Sequence, residues 1–408
     1  MAIDFRLTEE QEAIRELAHN FAANEMRPNA SYYDEHEETP WDIMRKAHEL
    51  GIGPSGEFPT QYGGGGLDRV TALLLQEELS WGDAGIAVSI MASGLAGTGI
   101  LAMGTEEQKK KYIGMLCDPK DMKLAALALT EPNSGSDSLS LETTATKVDG
   151  GYLLNGTKQF CTNGGIADIH VVFANRDRSL GPAGVAAFIV EKGTKGFSMG
   201  KKEHKLGVRA SHTAQLLLED CFVPDENCLG YDKEGNQTGP GAVGAMLTLE
   251  ATRPMVAAGA LGIARAAFEF ARDYSLQRNQ FGKPIAKNQA IAFKLADMAT
   301  EIDAARLLIW RAGWMAENAI PFEHGEGSMA KLYAGDTAMR VTVDAVQILG
   351  GYGFIKDYPV ERFMRDAKIY QIWEGTAEIQ RLVISRYVLG ERKRSTQTSS
   401  PVVGASAS

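Results

Sequence analysis

The chain has 408 residues, 44% of them hydrophobic and 23% charged, and a formal net charge of -10. That length exceeds one compact core and suits two or three domains, and the composition is that of an ordinary soluble globular protein. Net acidity argues against a nucleic-acid binder, which presents a basic face, but leaves room for small anionic ligands held by a few local donors.

From residue 4 to about 120 the pattern is helical. Thr8 and Gln11 have capping-box spacing, and Ile14, Leu17, Ala18 and Phe21 share one apolar face. Thr39-Pro40-Trp41 predicts a second start, a capping residue followed by proline in the first turn, and that segment stops at Leu50-Gly51. A glycine-rich loop, Gly53 to Gly66, follows. Between 121 and 238 the period shortens. Val148 and Tyr152-Leu153-Leu154 flank an Asp149-Gly150-Gly151 turn, a hairpin signal, and Val171-Val172-Phe173, Phe188-Ile189-Val190 and Leu216-Leu217-Leu218 are short apolar runs between turn residues. This region is expected to be mostly β, and it lacks the long helices that a doubly wound parallel sheet needs.

From 239 to 390 the chain reads as helical again. Pro254 is taken to open a helix carrying Val256, Leu261, Ile263, Ala267 and Phe268, and Asp297 to Glu317 and Lys331 to Leu349 supply two more amphipathic stretches. The residues from 391 to 408, mostly Ser, Thr, Ala and Gly after a basic run, are expected to form a disordered tail. The reading is therefore α+β: helices over 1–120, a β domain over 121–238 and helices over 239–390. The segment from Gly230 to Gly244 has no functional reading.

No apolar run of transmembrane length is recognised. The first residues, Met1-Ala2-Ile3-Asp4-Phe5, lack the order of a signal peptide. The four cysteines (Cys117, Cys161, Cys221, Cys228) form no CxxC pair and the seven histidines show no HExxH spacing, so neither a disulfide framework nor a zinc site is expected. A reducing, cytoplasmic location fits.

Taken singly, the polar motifs are ambiguous. Leu129-Thr130-Glu131-Pro132-Asn133-Ser134-Gly135-Ser136-Asp137 suits a ligand cradle or an ordinary strand-ending turn. Phe160-Cys161-Thr162-Asn163-Gly164-Gly165 is equally open. Gly350-Gly351, after Gln347-Ile348-Leu349, is not a GxGxxG fingerprint and serves as well as a helix C-cap. Glu374, between Trp373 and Gly375, is either a base in an apolar pocket that raises its pKa or a surface acid near a helix start.

Together and in order, the stretches LALTEPNSGSD, TNGG, TRPMVAAGALG, RNQFGKP, AVQILGGYGF and PVERFMRDAKIYQIWEGTAEIQR resemble the acyl-CoA dehydrogenase family over roughly residues 4 to 390. The IxEGT motif around Glu374 is most similar to the short- and medium-chain enzymes. The resemblance implies an N-terminal α domain, a middle β-barrel-like domain and a C-terminal four-helix bundle. It also implies FAD without a Rossmann unit, α,β-desaturation of an acyl-CoA thioester in fatty acid β-oxidation, and reoxidation by electron-transferring flavoprotein.

By position, Glu374 is the implied catalytic base. Thr130 and Thr162 would bond the isoalloxazine edge, Phe160 would stack near it, and Leu127 and Gly135 would line the same cofactor site. Ser136 would touch both cofactor and thioester, and Thr376 and Glu378 would meet the FAD phosphate and ribityl region. Arg278, Gln280, Phe281, Gln289, Gln347, Gly350 and Gly351 match positions that reach the flavin nucleotide, most of them from a neighbouring subunit, which implies an oligomer, most often a tetramer. Arg253, read at a helix start, and Glu250 would face the substrate, with Met91, Trp373 and Gly375 beside the acyl group. Phe160-Cys161-Thr162 departs from the Trp-Ile-Thr of many relatives, and Trp373 narrows the pocket toward short- to medium-length or compact acyl groups. A non-catalytic helical scaffold has no physical need for this donor set.

Overall fold

Local capping signals place the first helices. In the computed structural model, which describes residues 5–138, 140–232, 236–238 and 242–391 (for 242–251 the backbone alone), Thr8 and Gln11 form a complete capping box at the start of α1 (Glu9–Phe21). Ala18 and Phe21 are buried as their spacing predicts, but Leu17 is exposed, because the buried stripe of this helix is narrower than the apolar one. After α2 (Ala30–His36) comes α3 (Trp41–Glu49). Here Pro40 itself is the N-cap and no side chain caps the helix, so Thr39 does not act as expected. The glycine-rich loop contains a short helix, α4 (Pro54–Glu57), and a 3₁₀ turn at Thr60–Tyr62. Asp68 then caps α5 (Arg69–Gly82), Asp83 caps α6 (Ala84–Met91), α7 spans Ser93–Met103, and a second capping box, Thr105 with Gln108, opens α8 (Glu106–Leu116).

The middle region is one curled, mixed sheet of seven strands: β1 (Ala125–Ala128), β2 (Thr144–Val148), β3 (Gly151–Thr162), β4 (Ile169–Asn175), β5 (Val185–Glu191), β6 (Phe197–Lys202) and β7 (Thr213–Pro224). β1 and then β2 run parallel to β4 along one edge, while β5 lies antiparallel on the other. Val148 pairs with Gly151, so the predicted hairpin turn is Asp149-Gly150, with Gly150 at φ +71° supplying the left-handed residue such a turn needs.

The helical C-terminal region is built from α9 (Ala242–Gln277), α10 (Gln289–Glu317), α11 (Glu326–Leu349), α12 (Val360–Ala367) and α13 (Ala377–Val388), with a small hairpin, β8 (Asn279–Gln280) and β9 (Lys283–Pro284), after α9. α9 is the central helix and packs on α5, α10 and α11. Pro254 lies inside α9 rather than at its start. The ring forfeits the bond to the Glu250 carbonyl at a cost of about 3 kcal/mol. Burial of Ala257, Ala258, Ala260, Leu261, Ile263, Ala264, Ala266 and Ala267, all at most 1% exposed, outweighs that local signal. α10 and α11 likewise begin earlier than expected. Two stretches, Ala84–Met103 and Thr252–Gln277, are long and apolar enough to span a membrane by composition, contrary to the sequence reading. Some 61% and 67% of their apolar windows are buried against the rest of the protein, as in core helices.

Charges tie the layers together. Glu77 and Glu78 of α5 are buried and are met by Arg265 of α9, and Arg306 of α10 also reaches Glu77. The helices cross closely here: a Cβ on Gly262 would stand 2.2 Å from the Glu77 carbonyl oxygen. Gly262→Val is therefore expected to force α5 and α9 apart and cost about 3 kcal/mol, at the upper end of overpacking. Chemical unfolding compared with the wild type checks this, and an unchanged midpoint would contradict the crossing. The four cysteines are buried and free. The expected tail from 392 onward and part of the 230–244 segment lie outside the described residues.

Candidate active site

After α12 the chain passes through a 3₁₀ turn (Lys368–Gln371) into Ile372-Trp373-Glu374-Gly375-Thr376. Glu374 sits at φ +53° and Gly375 at φ +89°. The left-handed region is ordinary for glycine, but for glutamate it costs on the order of 1 kcal/mol and needs support from its surroundings. Thr376 then caps α13, its hydroxyl accepting from the Ile379 amide at 3.3 Å.

The Glu374 side chain points back between the helices. Thr252 Oγ1 of α9 donates to its Oε2 at 3.2 Å. Burial pushes the carboxyl above the ordinary glutamate range, against the opposing pull of the Thr252 hydrogen bond and the charges of Arg253 and Lys331. Arg253 is only 4% exposed and its Nη1 donates to Ser328 Oγ at 2.9 Å. It lies within α9 and not at a helix N-terminus, so the anion site expected from free helix amides does not exist here. Trp373 is half-buried and meets Tyr370 edge-on, ring centroids 4.9 Å apart, while Met91 packs on the same core from α6. The Glu250 side chain lies outside the described residues.

A second group collects at the end of the sheet. Leu127 lies in β1, and the loop after it is fastened to β3 by a buried ion pair. Lys158 Nζ donates to Glu131 Oε1 at 2.7 Å and to the Leu129 carbonyl at 3.1 Å, and Glu131 accepts from the amides of Glu142 and Thr143. The Gln159 amide donates to the Thr130 carbonyl at 2.8 Å, which sets Thr130 beside β3. The register between β3 and β7 shifts from Lys158 to Cys161, and Phe160, at φ +56°, is turned outward and left 64% exposed. A bulge of this kind re-aims a side chain. Thr130 and Thr162 are half-buried, and neither hydroxyl bonds to another group among the described residues; Gly135 and Ser136 are exposed in the same loop. Glu378 is exposed in the first turn of α13, where a carboxylate complements the helix end.

A third group lies elsewhere. Arg278, Gln280, Gly350 and Gly351 line one open pocket with Tyr274, Tyr352 and Ile355. Gln347 and Gln289 are exposed, and Phe281, at the tip of the β8–β9 hairpin, is 95% exposed. On α11, Lys331 stands beside the Glu374 turn and Gln347 stands sixteen residues later, about 24 Å along the axis at 1.5 Å per residue. On α9, Arg253 and Gln277, the residue before Arg278, are separated by about 36 Å on the same count. The structure brings together the first and third groups only as opposite ends of the same two helices.

Thr252, Ser328, Lys331 and Gln380 around Glu374, and the Glu131–Lys158 pair, are not singled out by sequence reasoning. The one available signal is a lone lysine in a run of small and apolar residues, Ser328-Met329-Ala330-Lys331-Leu332. Such a lysine usually faces solvent, and here it is 1% exposed.

Three family models match successive parts of the chain: acyl-CoA dehydrogenase N-terminal domain over residues 8–120, middle domain over 126–221 and C-terminal domain over 239–389. The chain belongs to the acyl-CoA dehydrogenase family of oxidoreductases. It is 49% identical over 385 residues to an acyl-CoA dehydrogenase of Bacillus subtilis, covering 94% of this chain and 99% of that one. It is 46% identical to a short-chain specific acyl-CoA dehydrogenase of Clostridium acetobutylicum, with the same coverage. The solved structure of butyryl-CoA dehydrogenase from Megasphaera elsdenii matches with a TM-score of 0.89 at 45% identity, over 95% of this chain and all of that chain.

Proposed function

We propose that this protein is an FAD-dependent dehydrogenase of short- to medium-length acyl-CoA thioesters, forming the trans-2-enoyl-CoA with Glu374 as the base. The observation that carries this reading is the Glu374 carboxyl itself: half-buried, raised in pKa by desolvation, and oriented by Thr252. The relatives described as short-chain specific and as acting on butyryl-CoA support the chain length, as does a bulky Trp373 beside the base.

The residues present suit FAD. Thr130 and Thr162 are hydroxyls without a partner among the described residues, and Phe160 offers a flat apolar face on the surface beside them, the donor set and shield an isoalloxazine ring calls for. Held by Thr130, Thr162 and Phe160, FAD would supply the hydride acceptor. The remaining work falls to the protein. The Glu374 carboxylate takes the α-proton, and its backbone N–H, which has no acceptor among the described residues, donates to the thioester oxygen as negative charge develops there. Exclusion of water strengthens both interactions and keeps the base in one orientation.

Gln347 stands about 24 Å from Lys331 along α11, and Arg278, Gln280, Gly350 and Gly351 share a pocket at that end, with Phe281 at the tip of the β8–β9 hairpin and Gln289 at the start of α10, a separation too long for the same flavin ring. We assign them to the nucleotide portion of FAD in a second copy of the chain, within a tetramer. Electron-transferring flavoprotein is the proposed acceptor of the electrons, approaching the exposed Phe160 side of the site.

Anaerobic titration with a panel of acyl-CoA thioesters tests the reading through the oxidised-flavin absorption band. Bleaching at stoichiometric butyryl-CoA, weakening as the chain lengthens, is the expected result. A yellow protein that no thioester bleaches would move the chain to another flavoenzyme activity, and a colourless protein would leave the scaffold.

A further inference from the structure

The Glu374 turn is strained, and two buried side chains grip it from behind. Lys331 Nζ donates to the Gly375 carbonyl at 2.6 Å. Gln380 Nε2 donates to the Glu374 carbonyl at 3.1 Å and to the Gly375 carbonyl at 2.9 Å. Both residues are at most 1% exposed. A buried ammonium whose hydrogen-bond acceptor is a neutral carbonyl is expensive, since burial penalises the charge and lowers the lysine pKa to about 8. An apolar side chain would fill the same space more cheaply, so packing does not account for a lysine here.

Its placement does. Ser328, Lys331 and Gly335 lie on one face of α11 at helical spacing. Ser328 holds Arg253, Lys331 holds the Gly375 carbonyl, and Gly335 lets the helix press on Tyr370, where a Cβ would come within 2.7 Å of the backbone oxygen. Gln380, one turn into α13, closes the turn from the other side, and a Cβ on Gly375 would meet its Nε2 at 2.6 Å. With both carbonyls held by these donors, the carboxyl bonds Thr252 and the Glu374 amide has no acceptor among the described residues.

We propose that Lys331 and Gln380 are positioning residues that hold the Glu374-Gly375 turn left-handed, so that one residue presents its amide and its carboxylate to the same substrate. The inference rests on the reading of Glu374 as the base.

The test uses the flavin-loaded protein and two variants, Lys331→Met and Gln380→Met. Amide hydrogen exchange without substrate is expected to quicken at least ten-fold in the segment 370–376, with the rest of α11 and α13 unchanged. Bleaching by butyryl-CoA is expected to slow about 100-fold, the scale of a one-ångström misplacement, with half-saturation moving less than about three-fold. The charges facing the Glu374 carboxyl are Arg253 from α9 and Lys331 from α11, while Asp336 and Glu378 face Lys331. Loss of the lysine charge raises the pKa of the base. The rising limb of the pH–rate profile therefore shifts to higher pH in Lys331→Met and stays in place in Gln380→Met. Unchanged exchange in 370–376 with near wild-type bleaching in both variants overturns the proposal. So does loss of protection across the whole bundle, which assigns the pair to general stability. Glu374→Gln, run alongside, separates the two ideas: if it still bleaches, the base assignment fails, while the exchange data continue to decide what holds the turn.

Discussion

Glu374→Gln is expected to leave the protein folded and flavin-loaded but to slow bleaching by its best acyl-CoA about 10⁴-fold, the upper range for removal of a general base. Glutamine keeps the shape and can still meet the Thr252 hydroxyl, so binding should survive; the lost property is a carboxylate able to take a proton. In the wild type only the ionised base acts. Burial raises the Glu374 pKa, so the rate should rise with pH through a limb above the ordinary glutamate value of 4.5. That limb disappears in the variant. Rapid-mixing absorbance across pH measures both effects, and near wild-type turnover in Glu374→Gln would falsify the assignment.

The second large effect is structural. Lys158→Met should destabilise the protein by about 3–5 kcal/mol and lower its flavin content, because it strands the Glu131 carboxylate in the interior. The two side chains are 0% and 1% exposed. Burial works to raise the Glu131 pKa, but the Lys158 charge and hydrogen bonds from Lys158, Thr143 and Glu142 prevail and hold it below its usual range. The pair fastens the loop carrying Thr130 and Ser136, so the loss should reach the proposed cofactor site before the helical core. Adding Glu131→Leu should recover much of the stability, since two apolar groups leave no charge unpaired, without restoring the loop bonds to Glu142 and Thr143. Thermal unfolding and flavin absorbance of the single and double variants check this. A double variant no more stable than Lys158→Met would show that the loop bonds, not the unpaired charge, dominate.

Features that depend on neighbours in the chain are legible without the structure. The Thr8–Gln11 capping box and the Asp149-Gly150 turn each act over a few residues, and each forms as the local chemistry predicts. The order of helices, β domain and helices follows from a change of hydrophobic period, which also reports on local geometry. The motifs around Thr130, Phe160, Arg278 and Glu374 are visible as residue types, and together they carry the resemblance to the family.

What the tertiary structure alone decides are relations between distant residues. Pro254 reads as a helix start because its ring penalises the preceding turn, yet α9 runs through it, since packing against α5 and α11 outweighs one lost hydrogen bond. That shift moves Arg253 from a supposed helix end into the interior. Nothing in the sequence singles out Lys331 or Lys158, since isolated lysines normally face solvent, and only the fold brings each to its buried acceptor. The left-handed conformation of Glu374 has no local signal either: Gly375 adopts it freely but a glutamate does not, and it persists because side chains from α11 and α13 hold the carbonyls of the turn. By itself, then, the chain order determines element types, turns and family, because those rest on short-range sterics and periodicity; the ionisation and aim of the site residues are decided by burial and by donors from 5 to 122 residues away.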